Sequence, residues 1–148
     1  MNKSTTAVMF SSNSDDWFTP HDFYKKLHKE FNFTLDPCAS HINHKCEAYF
    51  TEEDDGLRKS WEGHTVFVNP PYSDIKNWVR KCYEESLKPN TIVVLLIPSR
   101  TDCRYFHDYI FGKAYNIRFV KGRLKFGGAK NGAPFPSAVV VFRGHPGY

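Results

Sequence analysis

The chain has 148 residues, of which 41% are hydrophobic and 16% aromatic, so we expect a packed globular protein rather than a disordered one. No apolar run approaches the roughly 20 residues that a membrane-spanning helix needs, and we expect no membrane partner. The formal net charge of +4 is a mild basic excess, which is compatible with a polyanionic partner.

The first 14 residues differ in character from the rest of the chain. They are polar and lack the apolar core of a secretory signal, so we predict a flexible N-terminal arm over 1–14 and one domain over 15–148. The four cysteines then indicate reduced thiols and a cytoplasmic location. The oligomeric state is expected to be a monomer or a weak dimer.

A helix is predicted to begin near Thr19, which can act as the N-cap, with Pro20 at the first helical position. The spacing of Phe23, Leu27 and Phe31 gives this helix an apolar stripe. Further helices are predicted after Asn69, with Ser73 as N-cap and Ile75, Trp78, Val79 and Cys82 facing inward, and over residues 99–109. Strands are predicted at residues 65–68, 91–97, 117–120 and 137–142, with a short extended run at 33–35 and a weaker candidate at 48–50.

This alternation of strands and helices predicts an α/β domain with a mostly parallel sheet and helices on both faces. In such sheets, ligands bind outside the carboxyl ends of the strands. Three polar segments follow predicted strands, at residues 36–38, 69–72 and 98–100. We therefore expect these three segments to converge on one crevice.

The segment Asn69-Pro70-Pro71-Tyr72 carries the most specific chemical signal. An aromatic amino group is a poor nucleophile because its lone pair is delocalised into the ring. Two acceptors aimed at its hydrogens would draw the nitrogen toward tetrahedral geometry, and the Asn69 side-chain oxygen and the Pro70 carbonyl can serve in this way. The prolines hold the backbone in place. Tyr72 offers a flat face for a base outside the duplex, where stacking is worth about 1–3 kcal/mol.

Several motifs together resemble the bacteriophage-type DNA N6-adenine methyltransferases, the phage Dam family. The resemblance spans Trp17 to Phe142 and includes Trp17-x-Thr19-Pro20, Leu35-Asp36-Pro37-Cys38-Ala39, Asp55-Gly56-Leu57, Asn69-Pro70-Pro71-Tyr72-Ser73, Pro98-Ser99-Arg100-Thr101-Asp102, Gly122-Arg123-Leu124-Lys125-Phe126 and Pro134-x-Pro136-Ser137. It implies a compact, truncated class I methyltransferase fold, S-adenosylmethionine as cofactor, adenine in DNA as substrate, and action in the host cytoplasm for a phage-encoded protein.

Several residues are candidates for binding S-adenosylmethionine. The carboxylate of Asp36 can accept a bond from the methionine ammonium, and Pro37-Cys38 would form a close turn beneath the cofactor. Among the acidic residues 52–55, Asp55 is favoured for the ribose hydroxyls because it matches the family pattern, and a solvated acidic loop is the alternative. Trp17, Thr19 and Pro20 resemble the family's N-terminal cofactor-binding segment, although Trp17 also suits a core position.

Basic residues in two segments are candidates for contact with DNA. Arg100 and Arg104 follow a buried strand and can reach phosphates, unless they are ordinary surface charges of a helix. Residues 122–132 combine four glycines with Arg123, Lys125, Phe126 and Lys130, which suits a mobile nucleic-acid-binding loop, while a plain hairpin connection is the alternative. Since no separate target-recognition domain fits, we expect a short or relaxed recognition site.

Three alternatives remain open at this point. The cluster Cys38, His41, His44 and Cys46 could bind zinc, but its spacing does not match the usual structural sites, and we expect no metal. The acceptor pair could serve another planar amine, such as cytosine N4, adenine in RNA or a protein glutamine. A catalytically inactive nucleic-acid-binding module is the third alternative, although such a protein is expected to have lost Asn69 or Asp36.

Overall fold

The structure, a computed structural model, describes residues 18–128 and 131–144, so the predicted arm over residues 1–14 lies outside it. Its regular elements are two helices, α1 (His21–Phe31) and α2 (Ile75–Ser86), and four strands, β1 (Thr65–Val68), β2 (Ile92–Pro98), β3 (Asn116–Phe119) and β4 (Ser137–Phe142). None of the described helices has the length and apolar composition that crossing a membrane requires.

The four strands form one mixed sheet in the order β1-β2-β4-β3. Strands β1 and β2 are parallel, whereas β4 is antiparallel to both β2 and β3. The prediction of an α/β class is confirmed. The prediction of a mostly parallel sheet is wrong, because two of the three strand pairs are antiparallel. The reason is that β4 follows β3 through a reversal of the chain and inserts between β3 and β2.

Two short extended segments continue the sheet beyond β1 through single parallel bridges. Leu35 pairs with Val66, and Asp36 pairs with Tyr49. The predicted runs at 33–35 and 48–50 are thus present, but as bridges rather than full strands. The Leu35–Asp36 segment therefore lies between Tyr49 on one side and β1 on the other. After Asp36 the chain forms the Tyr49 segment first and β1 afterwards.

Alternating side chains of the sheet enter two separate parts of the core, as buried strands require. Val66 and Val68 pack on the face covered by α2, together with Trp78 and Val79. Phe67 points to the opposite face and packs against α1, where the ring of Tyr24 lies 5.1 Å from its own. The prediction of helices on both faces is therefore confirmed.

The start of α1 differs from the prediction. Pro20 has an extended ψ of 133°, precedes the first helical residue and accepts the bond from the Tyr24 amide at 3.0 Å. Thr19 does not cap the helix, because no side chain caps this end and its hydroxyl binds a distant residue instead. Leu27 is buried as predicted, but Tyr24 rather than Phe23 is the second buried residue of the helix.

Two further helix predictions need correction. Residues Tyr72–Asp74 form a separate 3₁₀ turn, so the position before α2 is Asp74 and not Ser73, although Trp78, Val79 and Cys82 face the core as predicted. The helix expected over 99–109 is reduced to the π-helical turn Phe106–Ile110. A tight turn between Arg100 and Cys103, closed by a bond of 3.0 Å, occupies the segment before it.

Candidate functional site

A cleft of about 600 Å³ opens where the Leu35–Asp36 segment and β1 reach their carboxyl ends. Its lining includes Thr19, Asp36, Asp55 and Asn69. The volume falls in the roughly 300–1,000 Å³ range of small-molecule sites. Because the chain leaves Asp36 toward one side of the sheet and returns to β1 on the other, the cleft lies at a topological switch point, where ligands bind in such sheets.

The carboxylate of Asp36 is buried at the end of this cleft. The backbone amides of Lys45 and Cys38 donate to its two oxygens at 2.9 and 3.3 Å. Burial raises the pKa of Asp36, and these amide bonds only partly oppose the rise. Within residues 18–128 and 131–144, no lysine or arginine forms an ion pair with this carboxylate. The site is therefore suited to a cationic ligand group.

Asn69 follows β1 directly and shares the cleft with Asp36. Its Nδ2 donates a hydrogen bond of 3.0 Å to the hydroxyl of Thr19, which is itself buried. This bond restricts rotation of the amide, whose Oδ1 acceptor is buried. Of the three polar segments expected to converge, Asp36, Pro37 and Cys38 of the first and Asn69 and Pro71 of the second line the same cleft, whereas Pro70 and Tyr72 are not in its lining.

Lys45 is a residue of the cleft that the sequence did not indicate. Its Nζ donates to the carbonyl of Thr19 at 3.2 Å, while its backbone amide binds Asp36. One residue thus links the segment before α1 to the buried carboxylate. No motif or periodicity marks Lys45, because its partners Asp36 and Thr19 lie 9 and 26 residues away and share no helix or strand with it.

The Asp55-Gly56-Leu57 motif forms one wall of the cleft and contacts Pro37. A Cβ on Gly56 would lie 2.1 Å from the Pro37 carbonyl oxygen, so only glycine fits here without a shift of backbone. Asp55 is half-buried and has a left-handed backbone with φ 59°. The predicted cofactor residues Pro37, Cys38 and Asp55 all line the cleft.

Tyr72 lies beside the cleft rather than in its lining. Its half-buried ring meets Phe135 edge-on, with 5.4 Å between the centroids. Burial raises the pKa of the Tyr72 hydroxyl, and the positive charge of nearby Arg100 acts in the opposite direction. No residue of the third predicted segment, 98–100, is in the lining of the cleft, and Arg100 acts on Tyr72 through its charge.

The candidate DNA-binding residues have several different environments. Phe126, one of the predicted DNA-binding residues, is buried, and its ring packs in the core against Phe135 with 6.0 Å between the centroids. Arg123 donates to the Ala133 carbonyl at 3.2 Å, and a backbone bond between Leu124 and Ala133 closes a hairpin. This pairing around Ala133 agrees with the alternative of a hairpin connection.

The remaining candidate residues are either exposed on the surface or lie outside the described part of the chain. Arg100 and Lys125 are exposed, and Arg104 is exposed and forms an ion pair with Asp108 at 3.6 Å. Trp17 and Lys130 lie outside the described residues.

The predicted zinc alternative has another structural explanation. His41 Nδ1 lies 3.0 Å from the Tyr49 hydroxyl, and the His44 ring stacks on Tyr49 at 3.9 Å. Cys46 is buried against the Tyr24 hydroxyl. Among the described residues, no group of three or more histidine, cysteine or acidic side chains is arranged to hold a metal ion.

Comparison with known proteins gives the following similarities. The sequence model of the family described as DNA N-6-adenine-methyltransferase (Dam) matches residues 4–143. A protein of Haemophilus phage HP1 (strain HP1c1) named DNA N-6-adenine-methyltransferase is 29% identical over 128 residues, which make up 85% of this chain and 72% of that protein.

Two other relatives are similar over shorter stretches. The DNA N-6-adenine-methyltransferase of Escherichia phage T1 is 30% identical over 96 residues, which are 64% of this chain and 40% of that protein. The putative methyltransferase YfdM of Escherichia coli (strain K12) is 35% identical over 65 residues, which are 39% of this chain and 71% of that protein.

Proposed function

This chain belongs to the DNA N-6-adenine-methyltransferase (Dam) family, and from that premise we propose that it takes its methyl group from S-adenosylmethionine bound in the cleft beside Asp36 and Asn69. The protein is an enzyme that methylates the N6 amino group of adenine in DNA. The observation that carries the cofactor proposal is the meeting of Asp36 and Asn69 in one cleft, although they lie on different segments.

We assign the domain to a compact, truncated class I methyltransferase fold. The direction of the extended segments supports this assignment, since β1, β2 and the bridges at Leu35 and Asp36 are all parallel. Strand β4 alone runs against its neighbours. The position of the cleft at the switch point between Asp36 and β1 agrees with ligand binding in open α/β sheets.

The residues of the cleft fit the chemical groups of S-adenosylmethionine, which supplies an electrophilic methyl group on a sulfonium. Asp36 would accept a bond from the methionine ammonium, because its buried carboxylate retains acceptor capacity beside its two amide bonds. Asp55, on the wall formed with Gly56, would bind the ribose hydroxyls. Thr19, Pro37 and Cys38 would contact the cofactor from the remaining sides.

Asn69 and Pro70 would activate the adenine amine. The Asn69 Oδ1 and the Pro70 carbonyl are acceptors for the two hydrogens of that amine, and their bonds strengthen as positive charge develops on the nitrogen. The bond from Asn69 to Thr19 holds the amide in a fixed orientation before the substrate arrives. Such fixed dipoles need no rearrangement at the moment of transfer.

Tyr72 would stack on the adenine after it has left the duplex. Its edge-on contact with Phe135 fixes the orientation of the ring at the border of the cleft. Stacking of about 1–3 kcal/mol offsets part of the few kcal/mol that base flipping costs. Arg100, exposed and close to Tyr72, would bind a phosphate of the same strand, and Arg104, Arg123, Lys125 and Lys130 are further candidates.

The wider setting of the reaction follows from the same family membership. We propose that residues 15–148 act as one methyltransferase domain, as a monomer or weak dimer, in the cytoplasm, which is that of the host if the protein is phage-encoded. Light scattering of the purified chain, alone and with a DNA duplex, would measure the oligomeric state directly.

The proposal is tested with purified wild-type protein and Asn69→Ala. Wild-type protein incubated with S-adenosylmethionine and DNA should produce N6-methyladenine, detected by mass spectrometry of the digested nucleosides. Asn69→Ala should lose this product while calorimetry detects nearly unchanged affinity for S-adenosylhomocysteine. Methylated cytosine, methylation of RNA alone, or equal loss of turnover and of cofactor affinity in Asn69→Ala would contradict the proposal.

A further inference from the structure

We propose that Lys45 binds the carboxylate of the methionine part of S-adenosylmethionine, so that Lys45 and Asp36 together recognise both charges of its amino-acid end. This inference rests on the proposed function, and it assigns a cationic partner to the cofactor carboxylate, the group whose charge has the same sign as the four acidic side chains of the cleft. Lys45 is thereby a residue that determines specificity for an intact amino acid.

The distribution of charge in the cleft supports this assignment. Four acidic side chains are among the lining residues, Asp36, Glu52, Asp55 and Asp74. Lys45 is the only lysine or arginine among the described residues that line it. The acidic side chains would repel a ligand carboxylate, and Lys45 is the residue of the described lining that offers a positive charge to attract it.

The geometry places the lysine next to the proposed ammonium site. The backbone amide of Lys45 binds the Asp36 carboxylate at 2.9 Å, so the two residues are held together independently of the lysine side chain. The ammonium and the carboxylate of an amino acid are attached to the same carbon. Asp36 and Lys45 both line the cleft, so an anionic and a cationic side chain on two residues joined by this backbone bond offer the complement that such a zwitterion needs.

Among the described residues, the Lys45 ammonium forms no ion pair with a carboxylate, and it lies 5.6 Å from the centroid of the Tyr24 ring. Its Nζ donates to a neutral carbonyl, that of Thr19, at 3.2 Å. Partial burial lowers the pKa of Lys45, while the charge of Asp36 acts in the opposite direction. A ligand carboxylate would provide the charge-assisted bond that the Thr19 carbonyl does not provide.

Calorimetry with two ligands isolates this interaction. S-adenosylhomocysteine carries the carboxylate, and its decarboxylated analogue keeps the amine and the nucleoside. Wild-type protein should bind S-adenosylhomocysteine roughly 10- to 100-fold more tightly than the analogue, as expected for one charge-assisted bond. In Lys45→Met, affinity for S-adenosylhomocysteine should fall so that the two ligands bind within about threefold of each other.

Three matched variants complete the experiment. Lys45→Arg keeps the charge and should retain the preference, and Lys59→Met, which alters an exposed lysine outside the cleft, should leave it unchanged. Lys45→Gln keeps a donor for the Thr19 carbonyl but has no charge, so it should also lose the preference for S-adenosylhomocysteine. It tests the same interaction if Lys45→Met does not fold. The ratio of the affinities for S-adenosylhomocysteine and its decarboxylated analogue is compared within each variant. A substitution that weakens the binding of both ligands equally therefore does not change this ratio.

The outcomes separate this inference from the proposed function. If wild-type protein binds S-adenosylhomocysteine and the neutral variants keep the full preference, the assignment of Lys45 is wrong and the cofactor site stands. Equal binding of both ligands by wild-type protein also overturns it. Binding of neither ligand would reject the proposed cofactor site, and the inference with it.

Discussion

Asn69 donates a hydrogen bond of 3.0 Å from its Nδ2 to the hydroxyl of Thr19, 50 residues earlier in the chain. Thr19 is buried, and its carbonyl accepts a second bond from the side chain of Lys45. The segment before α1 therefore supports the residue that we propose to be catalytic. This relationship gives Thr19 a positioning role in addition to its contact with the cleft.

Replacing Thr19 by valine keeps the shape of the side chain and removes the hydroxyl. We expect kcat to fall about 10- to 100-fold, because a misdirected Asn69 amide no longer meets the amine in a productive geometry. Affinity for S-adenosylhomocysteine should change little. Single-turnover kinetics and calorimetry measure the two quantities, and Thr19→Ser should restore the rate. A normal rate in Thr19→Val would mean that the bond does not position Asn69.

Gly56→Ala tests the close contact that forms a wall of the cleft. The added Cβ would meet the Pro37 carbonyl and also lie 3.2 Å from the Trp78 ring, so backbone must move. We expect a loss of about 1–3 kcal/mol in the free energy of unfolding, together with weaker cofactor binding. Denaturant unfolding and calorimetry measure these effects. Gly63→Ala, at a position with φ +82° and nothing within 4 Å, should cost about 1 kcal/mol or less and leave cofactor affinity unchanged.

Glu85 should make stability depend on pH in the acid range. Its buried carboxylate accepts from the Trp61 amide at 2.6 Å and pairs with Lys88 and Lys81 at 2.8 and 3.1 Å. Burial raises its pKa, but the bonds from Lys88, Trp61 and Lys81 outweigh burial, so the pKa is held below its ordinary value of 4.5. The ionised Glu85 carboxylate therefore contributes its full stabilisation of the fold above pH 4.5. This stabilisation is lost as the pH falls through the lower pKa that Glu85 has in the folded state.

Glu85→Gln should remove part of this acid-range dependence and cost about 1–3 kcal/mol at neutral pH. Urea unfolding at several values between about pH 3 and pH 7 measures both quantities. Glu84→Gln, which alters an exposed partner of Arg80, is the matched control and should have little effect. An unchanged pH profile in Glu85→Gln would contradict the role assigned to the buried network.

Arg100 and Phe126 test the two kinds of predicted DNA-binding residue. Arg100→Gln should weaken DNA binding and reduce the slope of log affinity against log salt by about 0.9, as expected for one phosphate contact. Arg80→Gln, on the exposed side of α2, serves as the control and should leave the slope unchanged. Fluorescence anisotropy with a labelled duplex at several salt concentrations measures both. The same slope in Arg100→Gln as in wild type would reject the contact.

Phe126→Ala should act on the core instead. Removing a buried aromatic ring is expected to cost about 3–5 kcal/mol in the free energy of unfolding while leaving the salt slope unchanged. Denaturant unfolding measures the first quantity and the anisotropy titration measures the second. If Phe126 instead stacked on a DNA base, Phe126→Ala would lose little stability and would bind DNA more weakly, and this result would contradict the prediction.

The sequence by itself determined the parts of this protein that depend on neighbours in the chain. Runs of β-branched residues placed β1 and β4 at their observed bounds, and the double proline after Asn69 ended β1. Fixed φ angles and side-chain alternation act over a few residues, so local patterns are sufficient to predict them. Asp36 and Asn69 were identified for the same reason, since each follows directly on an extended run.

Only the tertiary structure decided which distant residues meet. The bond between Thr19 and Asn69 joins residues 50 apart in sequence. The place of Lys45 beside Asp36 and the burial of Phe126 against Phe135 depend on how irregular segments fold back on themselves. The antiparallel insertion of β4 depends equally on pairing with distant strands. A local pattern states that a side chain is apolar, charged or polar, whereas its partner is selected by how the whole chain packs.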